Sequence, residues 1–383
     1  MRNLSQLNNT YGDGKVIDAC GIFAMMSRQG RTFSGVQAIT AMANMHDRGN
    51  GLGGGFAAYG IYPEYKDFYA FHIMYDDLAA KEEAERFILD HFTVEKDEDI
   101  PTSPHPRVKT PPILRRYFAK PEPHLTGGES EDDYVVRHVM RINTEIDGAF
   151  VFSGGKNMGV FKGVGHTEDI GEFFRLDEYQ AYLWTAHSRF PTNSQAWWGG
   201  AHPFSILDWT VVHNGEISSY GTNRAFLEMY GYFCTMHTDT EVLAYAVDLL
   251  MRRHGLPIDL LAKVVAAPLW RDIDNLEPSE RELYETIRIV YGGLLMNGPF
   301  SVVIAHEGEM IGLGDRIRLR PLVAASKGDI QYIASEEAPI RLVEPDLDRV
   351  WVPRGGEPVI CRLAGAVPAT AAVVNSRSRG RSL

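Results

Sequence analysis

The spacing of apolar residues predicts a chain that contains many short strands. The run that follows Cys20 is apolar and unbroken, which suits a buried strand. Further short apolar runs recur along the chain and read as strands in the same way. The predicted strands cover 21–26, 56–62, 149–153, 158–162, 300–306, 311–314, 322–326 and 331–335.

Apolar residues at helical spacing predict helices between these strands. Ser34 can cap a helix whose apolar face ends at Met45, and Ser130 can start another that reaches Ile146. Thr238 and Glu241 have the spacing of a capping box ahead of a third apolar face. Two more helices are expected, over 76–92 and over 282–291 after Ser279.

One segment departs from this pattern because seven prolines lie between Pro101 and Pro123. Proline lacks a backbone N–H and therefore interrupts regular elements. We predict that 93–129 is either a surface excursion or an insert that contacts a partner, and that it contains no regular core element. It is not read as a linker between independent domains.

The two ends of the chain are predicted to lie outside the folded domain. Residues 1–19 are polar and lack the apolar segment of a secretion signal, so they read as a disordered tail or a propeptide. The basic segment 366–383 predicts a disordered tail. No stretch approaches the roughly 20 apolar residues that are needed to span a bilayer.

Composition narrows the class of protein. The 383 residues are 44% hydrophobic and 23% charged, which is typical of a soluble globular protein with a sizeable core. A net charge of -12 argues against a general nucleic-acid surface. Three cysteines are too few for a disulfide framework or a cysteine-rich zinc site, so a reducing cytoplasm fits best.

Cys20 is a candidate nucleophile. If the peptide bond before it is cut, one residue has both a thiol and a free α-amine, which titrates near pH ~8 and could accept the thiol proton. The alternative is an ordinary core cysteine. Nearby, Gly53–Gly55 lack the order of a phosphate-binding loop, so they predict a tight backbone beside the active centre.

Segment 185–216 contains the densest group of hydrogen-bonding side chains. A strand would deliver Arg189 into a loop, where its planar guanidinium could bind a substrate carboxylate. A second strand would end at His213-Asn214-Gly215, where the amide of Asn214 and the N–H of Gly215 could form an oxyanion hole.

Asp239 would lie in the first turn of a helix, where its carboxylate could meet an ammonium group or merely complement the helix dipole. Four histidines could suggest a metal, but they have no helical i, i+3 or i, i+4 spacing and are better read as structural. They are His187, His202, His213 and His237.

Five short motifs occur in the order that is typical of the class II glutamine amidotransferases, which are N-terminal-nucleophile enzymes. They are Cys20-Gly21-Ile22, Arg48-Gly49, Arg189-Phe190-Pro191-Thr192-Asn193, His213-Asn214-Gly215-Glu216 and Thr238-Asp239-Thr240-Glu241. Within that family they look most like the glutaminase part of glutamate synthase, above all the separately encoded archaeal type. The resemblance covers roughly 20–365, with the insert 93–129 unaccounted for.

The resemblance implies an α+β fold, a single four-layer αββα sandwich in which two mainly antiparallel sheets lie between helical layers. It implies that residues 1–19 are a propeptide and that Cys20 is the nucleophile, with its freed amine as the base. Asn214 and Gly215 would stabilise the oxyanion. The substrate-binding residues would be Arg189, Asp239, Thr192 and His213.

The resemblance also implies a reaction and partners. The chain would hydrolyse L-glutamine and pass ammonia through a tunnel to a separate synthase subunit that aminates 2-oxoglutarate, in a cytoplasmic hetero-oligomer. It would bind no metal, cofactor, membrane or nucleic acid. FMN and an iron–sulfur cluster would belong to the partner, because the sequence ends too soon for that synthase barrel.

Three alternatives stay open. The chain could be the amidotransferase subunit of an N-methylglutamate synthase or of another synthase. It could instead be a non-catalytic subunit that keeps the fold for assembly or regulation. A thiol hydrolase with a Cys–His pair is the third, and it would need His187, His202 or His213 beside Cys20.

Overall fold

The computed structural model describes residues 20–190 and 196–366. Every strand that the sequence predicts is present, with ends that shift by a few residues. In chain order the strands are β1 Gly21–Ser27, β2 Phe33–Ser34, β3 Gly54–Tyr59, β4 Tyr69–Tyr75, β5 Phe92–Asp99, β6 Ile113–Pro121, β7 Ala149–Ser153, β8 Met158–Gly163, β9 Gln180–Ala181, β10 Leu183–Ser188, β11 Phe204–Ile206, β12 Trp209–Gly215, β13 Phe300–His306, β14 Glu309–Gly314, β15 Val323–Lys327, β16 Ile330–Ala334, β17 Arg349–Trp351 and β18 Val359–Arg362.

The α-helices lie in the connections between these strands. They are α1 Val36–Asn44, α2 Leu78–His91, α3 Glu131–Glu145, α4 Thr167–Phe173, α5 Tyr220–Glu228, α6 Asp239–Val247, α7 Ile258–Val265, α8 Trp270–Ile273, α9 Pro278–Tyr291 and α10 Glu337–Val343. A π-helical segment, Asp248–Arg253, continues α6. A short 3-10 turn, His46–Arg48, follows α1.

Two antiparallel sheets form the centre of the fold. The first has the strand order β17-β15-β16-β1-β10-β3-β8, and the second has the order β11-β12-β13-β14-β18. Strands β1 and β10 contact β12 across the space between the sheets, and apolar side chains from both sheets share one core. Because α1 and α4 pack against the first sheet and α6 against the second, the chain forms the expected αββα sandwich.

A third antiparallel sheet lies beside the sandwich, with the strand order β5-β6-β4-β7. Helices α2 and α3 pack on it. Its core is a separate apolar cluster that includes Tyr69, Phe71 and Tyr117. The cores of the sandwich and of this sheet are thus distinct, although both belong to one continuous chain.

The third sheet shows that the prediction for 93–129 was wrong about regular structure. Ile113–Pro121 is an interior strand of this sheet, and Tyr117 and Phe118 are buried in it. The prolines flank the strand: five lie between β5 and β6, and Pro121 is the last residue of β6. A proline disturbs a sheet only where its missing N–H is needed, so these prolines do not interrupt the pairing.

Two predicted helix starts also need correction. Ser34 lies in β2, and Gly35 takes the capping position of α1 without a side-chain hydrogen bond. A Cβ on Gly35 would lie 2.4 Å from the carbonyl oxygen of Leu176, so this close approach favours glycine there. Helix α9 begins at Pro278, just before the predicted Ser279, and proline suits a first helical position.

The predictions for the leader 1–19 and for nearly all of the tail 366–383 fall outside the described residues. The helices of the described ranges include none that is both long enough and apolar enough to cross a membrane.

Candidate active site

Cys20 lies immediately before β1, near the middle of the first sheet. Strand β1 pairs with β10 on one side and with β16 on the other, so the backbone after the thiol is held on both edges. Cys20 is partly exposed, whereas Cys234 and Cys361 are buried. Cys20 is thus the least buried of the three cysteines, which disfavours its interpretation as an ordinary core cysteine.

The thiol is held by its neighbours. Its Sγ accepts a hydrogen bond from Phe190 N–H at 3.3 Å. Burial raises the pKa of the Cys20 thiol, and the hydrogen bond from Phe190 and the charge of Arg189 oppose that rise. Because the net shift is upward, the thiol keeps its proton at neutral pH and needs a base to become a nucleophile.

Arg189 directly follows β10 and is buried. The backbone N–H of Arg189 donates a hydrogen bond to the carbonyl oxygen of Gly53 at 2.9 Å. Burial lowers the pKa of the Arg189 guanidinium, while the charges of Cys20 and Asp239 oppose that change. The guanidinium therefore lies near enough to both of these groups to interact with them electrostatically.

The glycines around Arg189 bring backbone segments close together, as the sequence predicts. A Cβ on Gly53 would lie 3.1 Å from Cδ of Arg189, and one on Gly55 would lie 2.4 Å from the carbonyl oxygen of His202. Gly49 approaches Ser188 even more closely, because an added Cβ would lie 2.0 Å from its Oγ. Larger residues at these positions would displace the strand end that positions Arg189.

Asp239 begins α6, where Thr238 caps the helix through a hydrogen bond to Glu241 N–H at 3.4 Å. Oδ2 of Asp239 accepts a hydrogen bond from Ile217 N–H at 2.9 Å, and Oδ1 lies 3.5 Å from Nδ1 of His213. Burial would raise the pKa of Asp239, but His213 and these hydrogen bonds hold it below its usual value. The ionised carboxylate thus faces the segment after β12, and its role is not limited to the helix dipole.

Asn214 and Gly215 end β12 in the second sheet. Asn214 is fully buried, and its Nδ2 donates to Oγ of Ser335 at 3.3 Å. In the described part of the chain, Oδ1 of Asn214 has no hydrogen-bond partner. Gly215 has φ +152°, and a Cβ there would lie 2.0 Å from the carbonyl oxygen of Pro299, so only glycine fits.

Ser335 connects the two sheets at this point. Its Oγ accepts a hydrogen bond from Ile22 N–H at 3.1 Å as well as the one from Asn214. Ser335 directly follows β16, the neighbour of β1. The strand after the thiol and the amide of Asn214 therefore share one hydroxyl.

Comparison with known proteins identifies the family. The sequence pattern that defines the class-II glutamine amidotransferases matches residues 79–349, which is more than half of the chain. The chain belongs to the class-II glutamine amidotransferases. The matched range of this amidotransferase includes Arg189, Asn214 and Asp239, and it begins after Cys20 and Arg48.

Individual relatives of this amidotransferase span most of its length. An uncharacterized protein of Archaeoglobus fulgidus is 59% identical over 351 residues, which cover 90% of this chain and 92% of that protein. A putative glutamine amidotransferase of Methanothermobacter thermautotrophicus is 25% identical over 330 residues, 85% of this chain and 93% of its own. The solved glutamine phosphoribosylpyrophosphate amidotransferase of B. subtilis has 14% identity and a TM-score of 0.43, and the match covers 91% of this chain and 50% of that one.

The histidines of this amidotransferase surround the site without touching the thiol. Within residues 20–190 and 196–366, the hydrogen bonds of Cys20 Sγ are all to Phe190. His187 Nε2 lies 2.7 Å from the carbonyl oxygen of His213 and 3.0 Å from Nδ1 of His202. Burial lowers the pKa of His187 to about 3, so its ring is neutral and structural. This arrangement disfavours a Cys–His hydrolase.

Arg48 contacts the backbone of Cys20. Its Nε donates to the carbonyl oxygen of Cys20 at 3.1 Å, and its guanidinium pairs with Glu336. Because the 3-10 turn His46–Arg48 holds Arg48, this turn helps to fix the position of Cys20.

Lys162 is a buried lysine that the sequence analysis does not single out. Its Nζ donates to the carbonyl oxygen of Gly199 at 2.9 Å and lies 4.3 Å from the ring centroid of Phe204. Burial lowers the pKa of Lys162 to about 7. The adjoining Gly200 packs close to the guanidinium of Arg189, since an added Cβ would lie 3.2 Å from Nη1. Lys162 thus anchors the loop that packs on Arg189.

Of the predicted site residues, the structure brings Arg189 and Asp239 near enough to Cys20 to affect its pKa, and it places His213 beside Asp239. Asn214, which Gly215 follows, is linked through Ser335 to the strand after Cys20. Thr192 falls within 191–195, outside the described residues.

Proposed function

We propose that this amidotransferase hydrolyses L-glutamine to glutamate and ammonia through a thioester on Cys20. The observation that supports this most is the arrangement of the Cys20 thiol with a buried guanidinium and an ionised carboxylate close by. Such an arrangement suits an amino acid, which has one negative and one positive group at its α-carbon.

Substrate recognition would rest on the two charged groups. Arg189 would bind the α-carboxylate, for which a planar guanidinium provides two parallel donors. Asp239 would bind the α-ammonium, and its lowered pKa keeps it ionised at neutral pH. With both ends of the α-carbon held, the side-chain amide of glutamine would extend to Cys20.

The chemistry would proceed in two steps. In the first, the sulfur of Cys20 attacks the amide carbon, a C–S bond forms, and the carbonyl π electrons move to oxygen. Nδ2 of Asn214 and the N–H of Gly215 would stabilise that oxyanion. The C–N bond then breaks, and the nitrogen leaves as ammonia with the proton that the thiol gave up. In the second step, water attacks the thioester and gives a proton to the α-amine of Cys20. The C–S bond then breaks to release glutamate, and the sulfur takes that proton to restore the thiol.

The base in this proposal is the α-amine of Cys20 itself. Because the described thiol contacts include no histidine, another group must accept its proton. An α-amine titrates near pH ~8 and would be free once residues 1–19 are removed. Removal of the leader is therefore part of the proposal.

We expect purified protein to release glutamate and ammonia from L-glutamine, and we expect the active fraction to have lost residues 1–19. Intact-mass spectrometry and a coupled glutamate assay measure both. D-Glutamine serves as the control, because it presents its ammonium and carboxylate in the wrong arrangement for Asp239 and Arg189. Glutaminase activity in a preparation whose first residue is still Met1 would refute the amine-base mechanism.

Changing Asp239 to Asn should raise the KM for glutamine by about 10- to 100-fold with a smaller effect on kcat, because a hydrogen bond to a charged group is worth about 1.5–3 kcal/mol. Asparagine can still accept the hydrogen bond from Ile217, so the fold should persist. The measurement is steady-state glutaminase kinetics.

The matched control is Asp259→Asn. Asp259 also lies in the first turn of a helix but is exposed. If both substitutions leave KM unchanged, Asp239 does not bind the ammonium and serves only its helix.

We further propose that the ammonia passes to a separate synthase chain that aminates 2-oxoglutarate, with FMN and an iron–sulfur cluster in that partner. This part rests on the likeness of the motifs to the glutaminase part of glutamate synthase. A co-purifying flavoprotein that forms glutamate from 2-oxoglutarate in the presence of this chain and glutamine would support it. Formation of N-methylglutamate instead would favour the related synthase.

A further inference from the structure

Two histidines and a glutamate from distant parts of the sequence lie together beside the turn that holds Arg48. His46 begins this turn, while His166 and Glu168 lie at the start of α4. One possible ligand atom from each lies within 4.8 Å of the other two. The rings of His46 and His166 stack with centroids 3.9 Å apart, and Nδ1 of His46 contacts Oε1 of Glu168.

A simple ion pair explains only part of this cluster. It accounts for the contact between His46 and Glu168, but it leaves Nδ1 of His166 buried and without a hydrogen-bond partner among the described residues. A buried polar atom without a partner is costly, and such an atom in a polar cluster points to a missing ligand or ion. The proposed reaction uses none of the three side chains.

The surroundings leave the cluster open to a ligand. All three side chains are partly exposed, so an ion in solution can reach them. Gly51 packs against the ring of His166, where an added Cβ would lie 2.9 Å from Nε2. The neighbouring Asp169 already pairs with Arg107 at 2.6 Å, so we do not count it as a ligand.

We propose that His46, His166 and Glu168 bind a zinc ion, with a fourth position open to water. Two imidazole nitrogens and one carboxylate oxygen are a common zinc donor set. With metal–ligand bonds of about 2.0–2.2 Å, ligand atoms on a tetrahedron lie about 3.4 Å apart. The three ligand atoms, now within 4.8 Å of one another, would move closer together on binding, and the stacked rings of His46 and His166 would turn so that one nitrogen of each points at the ion.

The ion would stabilise the active site from outside it. His46 precedes Arg48 by two residues in the same 3-10 turn, and Arg48 donates to the carbonyl oxygen of Cys20. A zinc ion would tie this turn to the start of α4. The ion would thus have a structural role and take no part in the reaction at the thiol.

The test is zinc binding to the purified full-length chain, by equilibrium dialysis against zinc chloride with the bound metal measured by mass spectrometry. The Cys20→Ala variant is measured beside the wild type, because the thiol could itself bind zinc. We expect one zinc per chain in both proteins. His46→Ala and Glu168→Gln should each weaken the zinc affinity by at least about 10-fold.

His124→Ala is the matched control, since His124 is an exposed histidine that also has an acidic neighbour, Glu122. It should bind zinc as the wild type does. Retention of zinc by both His46→Ala and Glu168→Gln with unchanged affinity would overturn the proposal, as would its loss in Cys20→Ala. Absence of zinc from the wild-type chain would also overturn it. None of these outcomes depends on glutaminase activity, so the proposed function is tested separately.

Discussion

Replacing Cys20 with alanine is expected to lower the glutaminase kcat by at least about 10⁴-fold, because loss of the nucleophile removes the covalent path. The protein should stay folded, since Cys20 lies before β1 and is partly exposed. Steady-state assays of ammonia release measure the loss. Circular dichroism of the same preparation reports whether the fold is intact.

Two features of this experiment separate the loss of the nucleophile from other causes of a lower activity. Both the wild-type chain and the variant are expressed from residue 20 behind an initiator methionine that the host removes, so that leader removal does not differ between them. Cys234→Ala is the control for loss of a thiol elsewhere, because Cys234 is buried in the core. Ammonia release by Cys20→Ala at the wild-type rate would contradict the assignment of Cys20.

Changing Asn214 to alanine should lower kcat by about 10²- to 10³-fold with little change in KM, because it removes one donor to the oxyanion. That donor acts in the transition state and contributes little to binding of the ground-state amide. Glutaminase kinetics at saturating glutamine measure the effect.

Ser335→Ala is the control that separates this role from a structural one. It removes the hydrogen bond that Asn214 makes in the free protein but leaves the amide in place. We expect a loss of less than about 10-fold in kcat, because the amide can still donate to the oxyanion. Equal losses in the two variants would mean that Asn214 acts through its contact with Ser335.

The sequence predicted many strands of the sandwich well because they are short apolar runs with clear ends, while the arrangement of the sheets was expected from the family resemblance alone. The run after Cys20 and the strand at 300–306 were both placed to within a residue. Part of the third sheet was not predicted, because the prediction treated the prolines as spread evenly over 93–129. The prolines are concentrated before Ile113, and the strand that follows is nearly free of them. The positions of the prolines within the segment, and not their number, determine where a strand can form.

The candidate site was predictable where several functional residues are adjacent in sequence. Arg189 and Asn214 stood out because their motifs contain other polar residues and glycines. Ser335 and Lys162 did not, because each is a single polar residue in or beside an apolar strand. Their importance comes from contacts with residues far away in the chain, such as the one between Ser335 and Asn214. The cluster of His46 and His166 was missed for the same reason.

The position of Ser335 has a consequence for the tolerance of the enzyme to mutation. Cys20 is attached to the first sheet and Asn214 to the second, so their separation depends on how the two sheets pack. A displacement of about 1 Å between reacting groups can cost about 10²-fold in rate. Substitutions in the shared core that slide one sheet over the other should therefore impair turnover long before they unfold the protein.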